Sequence, residues 1–233
     1  MSAMTSVTTA RKVGTMAHDQ RGQESDQYVR TDSCPRIAVL ISGRGSNLQS
    51  IIDAIATQQL DARIAVVISN RAGALGLERA RDTGLEAVFL NPKDHPDRDA
   101  YDRAIVDILT ARQVDLVCLA GFMRLVGAPL LDAFPQRILN IHPSLLPAFR
   151  GLDAQRQALE HGVRVTGATV HLVTSTLDDG PIVLQAAVPV QDDDTVETLS
   201  ARILIEEHRL YPAAIRLVLD GGWTVDGRRF VHR

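Results

Sequence analysis

The sequence predicts an α/β fold built on a mostly parallel, twisted sheet with helices on both faces. Three observations carry this. Apolar runs at 37–41, 63–69 and 114–120 lack polar alternation of their own, so strands formed from them must be covered on both faces. Between them, apolar residues recur at helical spacing, as Leu48, Ile51, Ile52 and Ile55 do. The two kinds of stretch alternate along the chain, which is the pattern of parallel strands joined by helical crossovers.

The elements follow in order. The strand at 37–41 ends in Ser42-Gly43-Arg44-Gly45-Ser46-Asn47 and is followed by a helix. A strand at 63–69, a short helix at 76–81 closed by Gly84, and a strand at 87–90 come next. Residues 99–112 form a helix with Tyr101, Ile105, Ile108 and Leu109 on one face. The strand at 114–120 runs into Gly121-Phe122-Met123-Arg124, and 138–141 is the fifth strand. A helix at 153–160 precedes two longer strands, 165–173 and 182–190, joined by a turn at 177–181 and expected to be antiparallel. Asp194 and Glu197 resemble a capping box opening a long amphipathic helix, with a bend expected near Pro212 and a terminal hairpin over 221–233.

Composition bounds the function. A chain of 233 residues with 45% apolar side chains and a formal net charge of −3 is globular and carries no basic stripe. That excludes a nucleic-acid footprint and favours a small polar metabolite as partner. Cys34 and Cys118 are too few for a disulfide framework, and Cys118 sits in an apolar run as a small hydrophobe. With neither a long apolar span nor a signal-peptide core, no membrane association is expected and the cytoplasm is the expected compartment. Residues 1–34 are polar and are expected to form a disordered tail, leaving 35–233 as one domain. Asp19, Glu24 and Asp26 argue against an organellar transit peptide, and Met4 and Met16 leave a later start open.

Two places carry candidate chemistry. In the first loop, Gly43 and Gly45 allow backbone amides to approach an anion, and the helix start adds partial positive charge. No Gly-Lys-Ser/Thr follows, Leu48 stands where a dinucleotide loop has its third glycine, and no acidic residue ends the second strand. A single phosphate fits best; the plainer alternative is a βα turn capped by Asn47. In the second place, Asn140 and His142 leave the fifth strand on the same side, because strand side chains repeat every second residue. An amide N–H and an imidazolium are suitable donors for the oxyanion of a carbonyl turned tetrahedral. Asp178, in a loop expected on the same rim, is placed to raise the imidazole pKa or relay a proton. His171 reads as more structural than catalytic. No His, Cys or Asp spacing matches a metal site, and Ser46 and Ser144 lack a nucleophile elbow.

Taken together, Ile41 to Leu48, Ala120 to Arg124, Leu139 to Pro147 and Leu177 to Pro181 resemble the formyltransferases that use 10-formyltetrahydrofolate, most closely the phosphoribosylglycinamide formyltransferase family of purine biosynthesis. The resemblance implies a Rossmann-like formyltransferase fold and transfer of a formyl group from 10-formyltetrahydrofolate to the amine of glycinamide ribonucleotide, without a metal. It implies Asn140, His142 and Asp178 as the catalytic trio. Gly45, Ser46 and Asn47 match the phosphate-binding segment, Glu207 a ribose-contacting glutamate, and Met123, Arg124 and Val126 the lining of the folate pocket. The amine would attack the formyl carbon, with Asn140 and protonated His142 on the oxyanion and Asp178 assisting proton transfer. Formyltetrahydrofolate hydrolase and a non-catalytic nucleotide-binding module are the alternatives, and monomer and homodimer remain open. The segment 148–153, with Arg150 and Asp153, departs from the family pattern.

Overall fold

The structure, a computed structural model, describes residues 34–232; the tail expected at 1–34 lies almost entirely outside them. The elements are β1 (Arg36–Ile41), α1 (Ser46–Ala56), β2 (Arg63–Ser69), α2 (Leu75–Asp82), β3 (Ala87–Phe89), α3 (Arg98–Ala111), β4 (Leu116–Leu119), α4 (Ala128–Ala133) and β5 (Ile138–His142). They continue as α5 (Ala154–Glu160), β6 (Val165–Leu172), β7 (Ile182–Pro189), α6 (Val196–Asp220), β8 (Trp223–Asp226) and β9 (Arg229–His232). Among the described residues, one nine-stranded sheet has the order β3-β2-β1-β4-β5-β6-β7-β9-β8. The first five positions in that order pair in parallel. β6 then runs antiparallel to both β5 and β7, so the departure from parallel pairing is broader than the expected strand pair.

The apolar runs explain the layering. Residues 37–41 of β1 are fully buried, and alternate side chains enter two cores. Ile37, Val39 and Ile41 pack with Leu48 and Ile51 of α1, Leu77 of α2, and Ile203, Tyr211 and Ile215 of α6. Ala38 and Leu40 pack on the other face with Tyr101, Ile105 and Leu109 of α3 and Leu130 of α4.

Two local expectations change. α4 was not expected: it is six residues long and has a proline in its first turn, so it offers too little periodicity to read. The cap of α6 is Thr195, paired reciprocally with Thr198 at 3.3 and 2.9 Å, rather than Asp194 with Glu197. A hydroxyl on Thr198 serves there because it can both accept from the Thr195 amide and donate to Asp194 at 2.8 Å. Pro212 is contained within one 25-residue helix, removing an amide donor without ending it. The terminal hairpin forms as β8 and β9, and β9 joins β7 at Ile182 and Arg229.

The parallel order places the ends of β1, β4 and β5 at one edge. β2 and β4 flank β1, so the crossover direction reverses there and the loops after β1 and β4 open a crevice between them.

Candidate active site

That crevice is tied by short hydrogen bonds. The Ser42 amide donates to the Gly121 carbonyl at 3.0 Å. The Ser42 hydroxyl accepts from the Met123 amide at 2.8 Å and donates to Asn70 Oδ1 at 2.5 Å. The loops after β1 and β4 therefore share one anchor.

The first loop ends in Gly45, left-handed at φ 70°, which starts α1 with no side-chain cap. A Cβ on Gly45 would lie 2.6 Å from the Gly76 Cα, so only glycine admits this approach of α2. Asn47 does not cap the helix: its Nδ2 donates to Glu207 Oε2 at 2.7 Å, while its Oδ1 is buried without a partner. Burial pushes the Glu207 carboxyl above the ordinary glutamate range, against the opposite pull of the Asn47 hydrogen bond. One turn along α6, the buried Tyr211 hydroxyl shares its proton between the Leu119 and Leu139 carbonyls, at 3.0 and 3.1 Å. Thus α6 braces β4 and β5 just before they release Gly121 and Asn140. The Asn47–Glu207 hydrogen bond brings Glu207 to the segment of Gly45, Ser46 and Asn47.

On β5, Asn140 stands directly opposite His171 of β6, and its Nδ2 meets His171 Nε2 at 3.2 Å. His171 Nδ1 donates to its neighbouring Leu172 carbonyl at 3.0 Å, which leaves Nε2 as acceptor for the amide. The second Asn140 N–H is then available to a ligand. His142 Nε2 donates to the Phe149 carbonyl at 2.8 Å, and its Nδ1 lies 3.4 Å from Asp178 Oδ2. Asp178 Oδ1 lies 3.6 Å from His171 Nε2, and its Oδ2 accepts from the Gly151 amide at 2.8 Å. His142, His171 and Asp178 are 5%, 2% and 8% exposed, a compact polar cluster in a low-dielectric setting.

The trio meets, but by an unexpected route. Antiparallel β6 delivers the following loop beside Ile138, whose carbonyl accepts from the Val173 amide at 2.8 Å, at the far end of β5 from His142. The loop folds back to bring Asp178, at φ 48°, onto both imidazoles. Gly180 permits this return, since a Cβ there would lie 1.7 Å from the Leu172 carbonyl oxygen.

The electrostatics also differ from expectation. Burial lowers the His142 pKa below the ordinary imidazole value, outweighing the upward pull of the Phe149 carbonyl and of Asp178. The resting imidazole is therefore favoured neutral rather than protonated. For Asp178, burial pushes upward, but the Gly151 amide and the positive charge that the facing His171 and His142 rings carry when protonated hold the carboxyl below its ordinary range.

His171 is the site member that sequence reasoning undervalued. The available signal was pairwise: Asn140 and His142 on one strand, Thr169 and His171 on its antiparallel neighbour. Asp102 gave no motif signal; it is buried and accepts from the Gly127 amide at 2.6 Å, fixing the end of segment 123–127. Within that segment Met123 is exposed, Arg124 lies over the Tyr101 ring at 4.8 Å, and Val126 packs against the α3 core. Burial pushes the Tyr101 hydroxyl up to about 12.

Two clefts lie outside the cluster. One of about 280 Å³ lies between Asp179, Pro181 and the β8–β9 hairpin, and one of about 400 Å³ lies outside the first loop between Ser46, Arg79 and His208. Among the described residues, no group of three or more His, Cys, Asp or Glu side chains is arranged to hold a metal ion. No described helix is long and apolar enough to cross a membrane.

This arrangement has known counterparts. A family profile described as Formyl transferase matches residues 35–215. Phosphoribosylglycinamide formyltransferase of Escherichia coli (strain K12) is 45% identical over 196 residues, covering 84% of this chain and 90% of that protein. The trifunctional purine biosynthetic protein adenosine-3 of Homo sapiens is 49% identical over 186 residues, covering 80% of this chain and 18% of that protein. The chain spans only 14% to 19% of the length of the trifunctional relatives it matches. Among solved structures, glycinamide ribonucleotide transformylase 1 from Symbiobacterium toebii superposes with a TM-score of 0.83 at 61% identity, covering 84% of this chain and 92% of that one. A formyltetrahydrofolate deformylase from Pseudomonas syringae pv. tomato superposes with a TM-score of 0.80 at 27% identity, covering 86% of this chain and 66% of that one. A sheet switching direction at β1, an amide and two imidazoles on adjacent strands, and a matching profile across most of its length lead to one conclusion: the chain belongs to the formyl transferase family.

Proposed function

We propose that the protein transfers the formyl group of 10-formyltetrahydrofolate to the amine of glycinamide ribonucleotide; relatives are named phosphoribosylglycinamide formyltransferase and glycinamide ribonucleotide transformylase. The observation that carries this reading is the joining of an amide, two imidazoles and a carboxylate beside a glycine loop suited to one phosphate. Gly45, Ser46 and Asn47 would hold the phosphate, and the Glu207 carboxylate would accept from the ribose hydroxyls. Met123, Arg124 and Val126 would line the folate side.

The amine nitrogen attacks the formyl carbon, the C–O double bond opens to an oxyanion, and the C–N10 bond then breaks as the oxyanion collapses. The proton lost by the amine passes to N10, with Asp178 holding the water that relays it. Asn140 donates its free N–H to the oxyanion. The His142 Nε2–H, held at rest by the Phe149 carbonyl, turns to the charged oxygen because an anion is the stronger acceptor. A neutral imidazole can fill this role, so the mechanism does not require His142 to be protonated at rest. Holding amine and formyl group together supplies much of the acceleration.

The test is to mix purified protein with 10-formyltetrahydrofolate, with and without glycinamide ribonucleotide. Tetrahydrofolate formed only with the ribonucleotide supports transfer; equal product without it supports hydrolysis instead.

A further inference from the structure

We propose that Arg228, in the turn of the C-terminal hairpin, is a positioning residue for formyl transfer: together with Arg150 it grips Asp179 and so holds the neighbouring Asp178 carboxylate against His142 and His171. This rests on the reading of Asp178 as part of the chemistry.

Asp178 and Asp179 are adjacent but serve opposite sides of one loop. Asp178 faces the buried imidazoles, whereas Asp179, 23% exposed, binds Arg150 through one oxygen and Arg228 through the other, the latter at 2.6 Å. Asp178 lies outside any strand or helix, with left-handed backbone that a non-glycine residue adopts at some cost. Its orientation therefore depends on its neighbours. Three consecutive residues reach this loop or its target: the Phe149 carbonyl accepts from His142, Arg150 binds Asp179, and the Gly151 amide binds Asp178. Phe149 and Asp153 are left-handed as well, so the facing segment also lacks regular structure. Among the described residues, the contribution from outside these two segments to the Asp179 carboxylate comes from Arg228. β9 begins at the next residue, Arg229, which pairs with Ile182 at the start of β7. The hairpin thus delivers a cation to the place where the loop re-enters the sheet. It lies beyond residue 215, where the family match ends.

Arg228 is 61% exposed, so it adds little to global stability. Its effect is local, on the fraction of molecules in which Asp178 is seated. An exposed ion pair shifts such an equilibrium by about fivefold at most, which sets the size of the signal.

The experiment uses the full chain with Arg228→Met and Arg228→Lys, with Asp178→Asn as reference. We expect Arg228→Met to lower kcat about threefold, with both KM values and the thermal midpoint nearly unchanged, and Arg228→Lys to recover at least half of the loss. The His142 ring titration, followed by NMR, should move to lower pH in Arg228→Met, in the same direction as in Asp178→Asn but by less. The groups facing that ring are Asp178, His171 and the Phe149 carbonyl, and only Asp178 is withdrawn by loosening the loop. A kcat within about 1.5-fold of wild type, or a loss of kcat with the His142 titration unmoved, overturns the proposal. If the wild-type protein transfers no formyl group, the proposed function fails while the His142 titration still decides whether Arg228 seats Asp178.

Discussion

The two halves of the crevice are built differently. The first loop is held by regular elements: β1 leads in, α1 leads out, α2 packs on Gly45 through Gly76, and α6 supplies Glu207. The proposed catalytic cluster takes Asn140, His142 and His171 from strands, but its carboxylate comes from a loop secured by polar contacts and left-handed residues. Rigid backbone suits a ligand held unchanged through the reaction. A loop-borne carboxylate suits a group that must meet a proton in transit, because its pKa and position can respond to what binds.

This contrast can be tested by asking which kinetic parameter each half controls. The largest effect is expected at Asn140. Asn140→Ala removes an oxyanion donor and should lower kcat by about 10²- to 10³-fold with little change in ribonucleotide KM, measured by steady-state formyl transfer. Glu207→Gln should act the other way, raising ribonucleotide KM by about tenfold while kcat stays near wild type, since hydrogen bonds to a charged acceptor are lost. The same variant removes a carboxylate that burial disfavours, so at pH 7 its thermal midpoint should rise by roughly 2–4 °C. If Glu207→Gln lowers kcat instead, the division between the two halves is wrong.

The smallest effect concerns pH. The His142 pKa is lowered on folding, so between the lowered value and the ordinary one near 6.5 the unfolded chain binds more protons. Stability from this group is complete above the ordinary value and is lost as pH falls through the window. The lowered Asp178 acts likewise at more acidic pH, below its ordinary 3.8, whereas the raised Glu207 costs stability as pH rises above 4.5. Thermal melts from pH 7.5 down to 5.5 should therefore show wild type losing roughly 2 °C more than His142→Ala, by circular dichroism. An equal loss would place the His142 titration at its ordinary value.

The same contrast governs what the sequence made legible. The strand, glycine turn and helix of the first loop were readable because a continuous apolar run ending in glycines and followed by helical periodicity is a local pattern. In the polar cluster, period-2 spacing gave Asn140 and His142 a common side, but His171 joins them only through the β5–β6 register, a long-range pairing that no local pattern contains. Asp178 came from resemblance. Its path, leaving beside Ile138 and folding back past Gly180, depends on tertiary contacts rather than on residue type. The direction of the His142 shift was misjudged for a related reason: the charge of Asp178 is visible in sequence, while the burial that outweighs it is not. Arg150, which departs from the family pattern, acquires its partner only once Asp179 is brought to it.

The Asn140, His142, His171 and Asp178 cluster is proposed to perform the chemistry while the first loop and Glu207 hold the ribonucleotide. The most direct measurement takes one preparation of His142→Ala and determines both its turnover with 10-formyltetrahydrofolate and its affinity for glycinamide ribonucleotide by calorimetry. The account predicts turnover reduced by about 10²-fold or more with affinity within about twofold of wild type. Near-normal turnover, or affinity lost in step with turnover, would contradict it.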